Sequence, residues 1–135
     1  MSNEPLLRVV VSKKGKVKPA EFRLRPDELG LSLFRSDAGV NPEVILDAVR
    51  AAGKRGELIV VEIPLRVFRE LGLKLVPTPG GTPDIEVNRV HVEARFGWLF
   101  RLWLRLRHKP MHDVFNERVT PALAAAAKPV TGGES

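Results

Sequence analysis

A run of six residues, Leu58–Ile63 (LIVVEI), constrains the fold of this chain more than any other segment. It is almost continuously apolar and rich in β-branched residues, which is the pattern of a strand covered on both faces. Such a strand needs other elements packed on each side of its sheet, so we predict a layered fold with this strand at the sheet centre. The length of 135 residues fits one domain of this kind.

Three further segments predict strands before this run. Leu6–Ser12 is apolar and branched, and the lysine-rich residues 13–19 after it predict a turn. Glu21–Arg25 and Leu31–Arg35 predict a hairpin, since PDELG at 26–30 carries the proline and glycine typical of a turn. We therefore expect an α+β fold with a split, mostly antiparallel sheet.

The helices are predicted from their start and stop signals. Asn41 and Pro42 predict a helix that ends at Gly53, because asparagine caps helices and proline fits their first position. Residues 64–71 predict a short second helix before the extended residues 73–76 and a loop at 77–84, PTPGGTPD. Residues 111–127, near the C-terminus, predict a helix with an interruption at Pro121. We expect one globular domain over 1–127 and a flexible tail over 128–135.

The segment from Val92 to Leu106 fits two structures. Its even positions are apolar throughout, which favours strands broken near Gly97. The same residues place Trp98, Leu102 and other apolar side chains on one helical stripe, and a basic amphipathic helix of this kind binds anionic membrane surfaces. Strand or helix stays open for residues 96–107, and we predict strands.

The charge and the composition of the chain limit the classes of partner and of chemical site that we expect. The 22 Lys and Arg residues exceed the 16 Asp and Glu residues by six, which favours anionic partners such as nucleic acid, a nucleotide, an acidic protein or an anionic membrane. With no cysteine, the chain has no disulfide framework, thiol nucleophile or cysteine-based metal site. It also lacks a phosphate-binding P-loop, a GxGxxG and a GxSxG motif, and its three histidines predict no metal site.

From the N-terminal residues and the apolar stretches we expect neither a secretory signal nor a transmembrane segment. The start, MSNEPLLRVVVSKKGK, has its lysines after the apolar run, which is the reverse of a secretory signal. No uncharged stretch reaches the roughly 18 residues that a transmembrane segment needs. We expect a soluble, cytoplasmic protein.

Five polar side chains are the candidates for a site. Arg23 and Arg25 lie on the first strand of the predicted hairpin and Ser32 on the second. His91 and Glu93, two residues apart in RVHVEAR, project from the same face of a strand and can enter one cleft. Alternatively, these side chains form only the polar side of the sheet.

The order FRLR, GLSLF, GLKLVP, RVHVEA and KPM, with an alanine-rich end, resembles small bacterial toxins with an ADP-ribosyltransferase-like fold. The likeness is to the compact NAD-dependent effectors of type VI secretion and covers about residues 20–127. It implies a single domain that binds NAD and transfers ADP-ribose to an intracellular target. It also implies a toxin–antitoxin setting, with a cognate immunity or antitoxin protein as partner.

The resemblance also implies roles for the candidates. Arg25, Ser32 and Glu93 fill its R-S-E pattern, and His91 stands where the first acidic or amide residue would be. Glu93 would stabilise positive charge on the nicotinamide ribose, with His91 as the second catalytic candidate, holding a hydroxyl of the adenosine ribose. Arg23 or Arg25 would clamp the pyrophosphate of NAD, and Ser32 would brace the ribose or the carboxylate. Trp98 or Trp103 would cover the nicotinamide. The alternative function is a basic module that binds nucleic acid or a partner protein without catalysis.

Overall fold

The computed structural model describes residues 5–14, 16–36 and 40–131. Within these ranges the chain forms seven strands and six helices. In chain order they are β1 (Leu6–Lys13), β2 (Lys16–Val17), β3 (Leu31–Arg35), α1 (Pro42–Ala51), β4 (Leu58–Ile63), α2 (Leu65–Glu70), β5 (Leu73–Pro77), α3 (Ile85–Arg89), β6 (His91–Phe96), α4 (Trp98–Leu106), α5 (Met111–Arg118), α6 (Thr120–Ala126) and β7 (Lys128–Thr131). A 3₁₀ turn covers Pro19–Phe22 between β2 and β3.

The strands form one antiparallel sheet in the order β5-β6-β3-β1-β4-β7, and β2 folds back on β1. Helices α2, α4, α5 and α6 contribute to the core on one face of the sheet, and α1 and α3 contribute to the core on the other. The α+β class and the antiparallel sheet are confirmed.

Strand β4 is covered on both faces, as its apolar run predicts. Val61 belongs to the core on the α2 side and Val60 to the core on the α1 side, and both are fully buried. Its predicted position at the centre of the sheet is wrong, because β4 pairs with β1 on one side and with the terminal β7 on the other. The middle of the sheet is formed by β3 and β1.

The predicted strand Glu21–Arg25 is also wrong. Its first residues form the 3₁₀ turn, and its backbone bonds to helix side chains instead of to a neighbouring strand. The Asn116 side-chain amide accepts from the Leu24 N–H at 2.6 Å and donates to the Leu24 carbonyl at 3.0 Å, while Thr120 donates to the Phe22 carbonyl at 2.8 Å. The alternation of buried and exposed side chains is still present, with Phe22 and Leu24 in the core.

Two predictions near the C-terminus need correction. The strand predicted after Gly97 is the helix α4, so residues 92–106 are a strand followed by a helix. Residues 128–131 of the predicted tail form β7, since the outer edge of β4 offers backbone groups that they pair with. Residues 132–135 of that tail lie outside the described residues. The helical break near Pro121 is confirmed, because α6 begins at Thr120 with this proline in its first turn.

Candidate functional site: a basic cleft between β1 and β3

The site begins where two neighbouring strands separate. Among the described residues, β1 and β3 pair at Leu6 with Arg35 and at Leu7 with Phe34. Beyond these pairs the strands diverge and leave an opening in the sheet, which we call the β1–β3 cleft. Two cavities of about 380 and 430 Å³ occupy it, and they share Arg8, Ser32 and Lys54 in their walls. We treat them as two halves of one cleft.

Arg8 bridges the two sides of this opening. Its guanidinium donates to the Glu21 carbonyl at 2.9 Å and to the Ser32 carbonyl of β3 at 2.7 Å. Burial lowers the pKa of Arg8 to about 10, although the nearby Glu21 and Glu28 act in the opposite direction. The side chain is therefore still a cation at neutral pH, and it lies at the base of both halves of the cleft.

Two other side chains bind the β1 backbone that faces the opening. The Glu21 carboxylate accepts from the Val11 N–H at 2.8 Å, and the Lys54 ammonium donates to the Val9 carbonyl at 3.4 Å. Burial, followed by repulsion from Arg8, lowers the pKa of Lys54. These contacts supply hydrogen bonds that a paired β3 would otherwise provide, so the strands stay apart without leaving these backbone groups unsatisfied.

The first half of the cleft is basic. Its walls hold four cations and two carboxylates, namely Arg8, Arg23, Arg25, Lys54, Glu21 and Glu28. Glu28 accepts from the Arg25 N–H at 2.8 Å, and Glu21 is held by Val11 as described. Within the described part of the chain, none of the four cations forms an ion pair. These walls therefore carry two more positive than negative side chains, and no direct ion pair neutralises the four cations.

The second half is formed by the β3–β6 face and by the loop between β5 and α3. Gly80 and Gly81 have φ angles of 122° and 97°, a region that side chains with a Cβ rarely adopt, and they line this half together with Thr82. His91 lines this half as well. Its Nδ1 is 2.8 Å from Thr78 Oγ1 and 2.7 Å from the Thr78 carbonyl, and its ring packs edge-on against Phe34.

The cleft brings together four of the five predicted site residues. Arg23 and Arg25 line the first half, His91 lines the second, and Ser32 lines both. Sequence reasoning missed Arg8 and Lys54. A charge within the apolar strand LLRVVVS was a signal for Arg8, whereas Lys54 follows a helix end in a charged turn and has no distinguishing pattern.

Glu93 is the predicted residue that the cleft does not include. It is the register partner of Ser32 on β6, yet it lines neither half of the cleft. Arg95 binds its carboxylate, with Nη2 at 2.9 Å and Nε at 3.0 Å from the same oxygen. Gly30 packs so closely on this pair that an added Cβ would lie 2.5 Å from Arg95 Cγ and 3.1 Å from Glu93 Cβ.

The two tryptophans predicted as a cover over the cleft lie elsewhere. Trp98 and Trp103 belong to α4, and neither lines the cleft. Across residues 5–14, 16–36 and 40–131, no three His, Asp or Glu side chains are grouped as a metal site would require. No helix in those ranges is long and apolar enough to cross a bilayer.

Comparisons with family models, with curated proteins and with solved structures give no match to this chain. Its functional assignment therefore rests on the chemistry of the cleft.

Proposed function

We propose that the protein binds NAD in the β1–β3 cleft, and that any ADP-ribosyl transfer to an intracellular target starts from this complex. The observation that carries the proposal is the convergence of Arg8, Arg23, Arg25 and Lys54 on one opening in the sheet. An unpaired cation cluster in a partly buried cleft attracts an anion more strongly than the same charges dispersed over a surface.

The pyrophosphate of NAD fits the first half of the cleft. Guanidinium groups bind phosphate oxygens in a bidentate manner, which Arg23 and Arg25 can do. Arg8, held by its bonds to Glu21 and Ser32, adds a fixed positive charge. Both halves have volumes within the range of about 300–1,000 Å³ that is usual for small-molecule sites. A ligand that spans the two halves passes Ser32, whose hydroxyl is available to a ribose.

The second half then receives one nucleoside. Gly80 and Gly81 have no side chains, so a ligand can approach their backbone closely. Loss of nicotinamide breaks the bond between its ring nitrogen and the ribose carbon. The nicotinamide leaves with the electron pair, and the positively charged ribose then bonds to an acceptor that gives up a proton. Glu93 lies outside the walls of the cleft, but it is the register partner of Ser32, and in this proposal it meets a ribose bound at Ser32 after exchanging its contact with Arg95.

The binding test uses the two exposed arginines of the cleft. We expect wild-type protein to bind NAD by isothermal titration calorimetry, and Arg23→Gln/Arg25→Gln to weaken binding by about tenfold or more, because two charge-assisted contacts are removed. Arg66→Gln/Arg69→Gln is the matched control, since both residues are exposed on α2 and the net charge changes equally. Wild-type protein that does not bind NAD would contradict the proposal. Binding of a single-stranded oligonucleotide in its place would support the basic-module alternative.

The transfer step has a separate test at Glu93. Glu93→Gln keeps the shape of the side chain and removes its charge, so we expect NAD affinity to stay nearly unchanged. Release of nicotinamide should fall by about 10²–10³-fold, because the carboxylate acts mainly on charge that develops in the transition state. Wild-type protein that binds NAD but releases no nicotinamide would restrict the function to binding. Equal turnover of wild type and variant would remove Glu93 from the site.

A further inference from the structure

Helix α4 presents large apolar side chains to solvent. Trp98, Leu99, Leu102, Trp103 and Leu106 are 63%, 65%, 42%, 41% and 70% exposed. We call these five residues the α4 apolar face. In the described ranges three other large hydrophobic residues are exposed, and they lie in separate places, Leu29 in the turn before β3, Ile85 in α3 and Val130 in β7. Contiguous exposure of this kind marks an interaction surface, whereas single exposed residues do not.

The helix is already docked through its opposite side. Leu104 is buried, and Phe100 packs edge-on against Phe96 of β6 with ring centroids 4.8 Å apart. Because successive residues are about 100° apart around a helix, Phe100 and Leu104 occupy one side and Leu102 and Leu106 the other. The α4 apolar face is therefore not a core surface that a small shift of the helix would bury.

Positive charges border this face on both sides. On the same helical projection Arg101 and Arg105 flank one edge and Arg107 flanks the other. The guanidinium of Arg107 lies 5.0 Å from the ring centroid of Trp103. From residue 94 to residue 112 the chain has four arginines, one lysine and no carboxylate.

We propose that the α4 apolar face docks on the surface of a membrane that contains anionic lipids. Tryptophan favours the zone between headgroups and acyl chains, and arginine extends its charge towards the phosphates while its stem stays on apolar surface. A helix that lies in the plane of the membrane inserts its apolar side, and basic flanking residues bind acidic headgroups. α4 combines these features in nine residues.

Charge favours lipid over a second copy of the chain. A two-fold dimer through this face would bring the same patch of each copy together. Its arginine borders would then meet with no carboxylate from residues 94–112 between them. An anionic lipid surface supplies the complementary charge around the whole border.

The tryptophans provide a direct readout, because the chain has two and both lie on this face. With phosphatidylcholine/phosphatidylserine vesicles we expect a blue shift of tryptophan emission and cosedimentation of the protein. Leu99→Ser/Leu106→Ser should weaken this binding by roughly tenfold or more, since two exposed apolar side chains are lost. Leu29→Ser/Ile85→Ser is the matched control, because these leucine and isoleucine side chains are exposed at 50% and 71% outside α4. Pure phosphatidylcholine vesicles should bind less.

Two results would overturn the proposal. One is the absence of a blue shift and of cosedimentation with the phosphatidylserine vesicles. The other is a concentration-dependent dimer that is lost in Leu99→Ser/Leu106→Ser while vesicle binding is absent, which would assign the face to a second copy. Arg105→Gln/Arg107→Gln separates the charge contribution, and we expect it to reduce the preference for phosphatidylserine and the sensitivity to salt. NAD titration of the same variants should be unaffected, so this test is independent of the cleft.

Discussion

At the scale of single residues, the cleft depends on side chains that form the hydrogen bonds a neighbouring strand would otherwise form. Arg8, Glu21 and Lys54 bind backbone groups that β1 and β3 leave unpaired where they diverge. Asn116 of α5 binds both the N–H and the carbonyl of Leu24, and so holds the segment that carries Arg23 and Arg25. The positions of the two arginines that line the cleft therefore depend on a side chain outside its walls.

Asn116→Leu tests this arrangement. The change removes the amide and leaves the N–H and carbonyl of Leu24 without their partner, so we expect the free energy of unfolding to fall by about 1–3 kcal/mol in urea denaturation. Glu117→Gln, an exposed change at the next position of α5, should be neutral within about 0.5 kcal/mol. A fully stable Asn116→Leu would mean that this contact does not position the segment.

The sequence predicts those site residues whose orientation follows from local alternation. Arg23 and Arg25 alternate with the apolar residues Phe22 and Leu24, and they face outwards although the segment is not a strand. Arg95 also alternates with apolar residues along its strand. Its ion pair with Glu93 has no local sequence pattern that would predict it. The bonds of Arg8 join residues 13 and 24 positions away in the chain, beyond the range of any periodicity.

At the scale of elements, α4 shows why a helix can resemble a strand. Periodicity identifies a helix when its apolar residues lie on one buried side. In α4 the buried Leu104 and the exposed Leu102 and Leu106 are all apolar, so apolar residues fill every even position. The exposed face that we assign to lipid is therefore the same feature that favoured the strand interpretation.

The sequence does not predict strand β7, and the reason differs from that for α4. Its residues 128–131, KPVT, are too few and too polar to indicate a strand by themselves. They become one because β4, apolar and buried, has a free edge that they pair with. By contrast, α1 was predicted correctly because its signal is local, with the Asn41 side chain accepting from the Val44 N–H at 3.0 Å.

At the scale of the whole molecule, one sheet supports both cores and both proposed surfaces. The cores on its two faces share the strands β1, β3 and β4, so neither can form without the sheet. The β1–β3 cleft opens through the sheet, while α4 packs on one face with its apolar side outwards. Loss of one core is therefore expected to remove both surfaces together.

Val61→Asp tests this coupling. Val61 is fully buried in the core on the α2 side, and an unpaired buried carboxylate costs several kcal/mol against a total stability of about 5–15 kcal/mol. We expect far-UV circular dichroism and hydrogen exchange to show loss of the entire fold, including α1 on the opposite face. Val130→Asp, on β7 and 39% exposed, should leave the fold intact. Val61→Asp could instead retain protected amides in α1 while those on the α2 side exchange freely. The two cores would then be separate folding units, and the cleft and the α4 apolar face would each belong to one of these units.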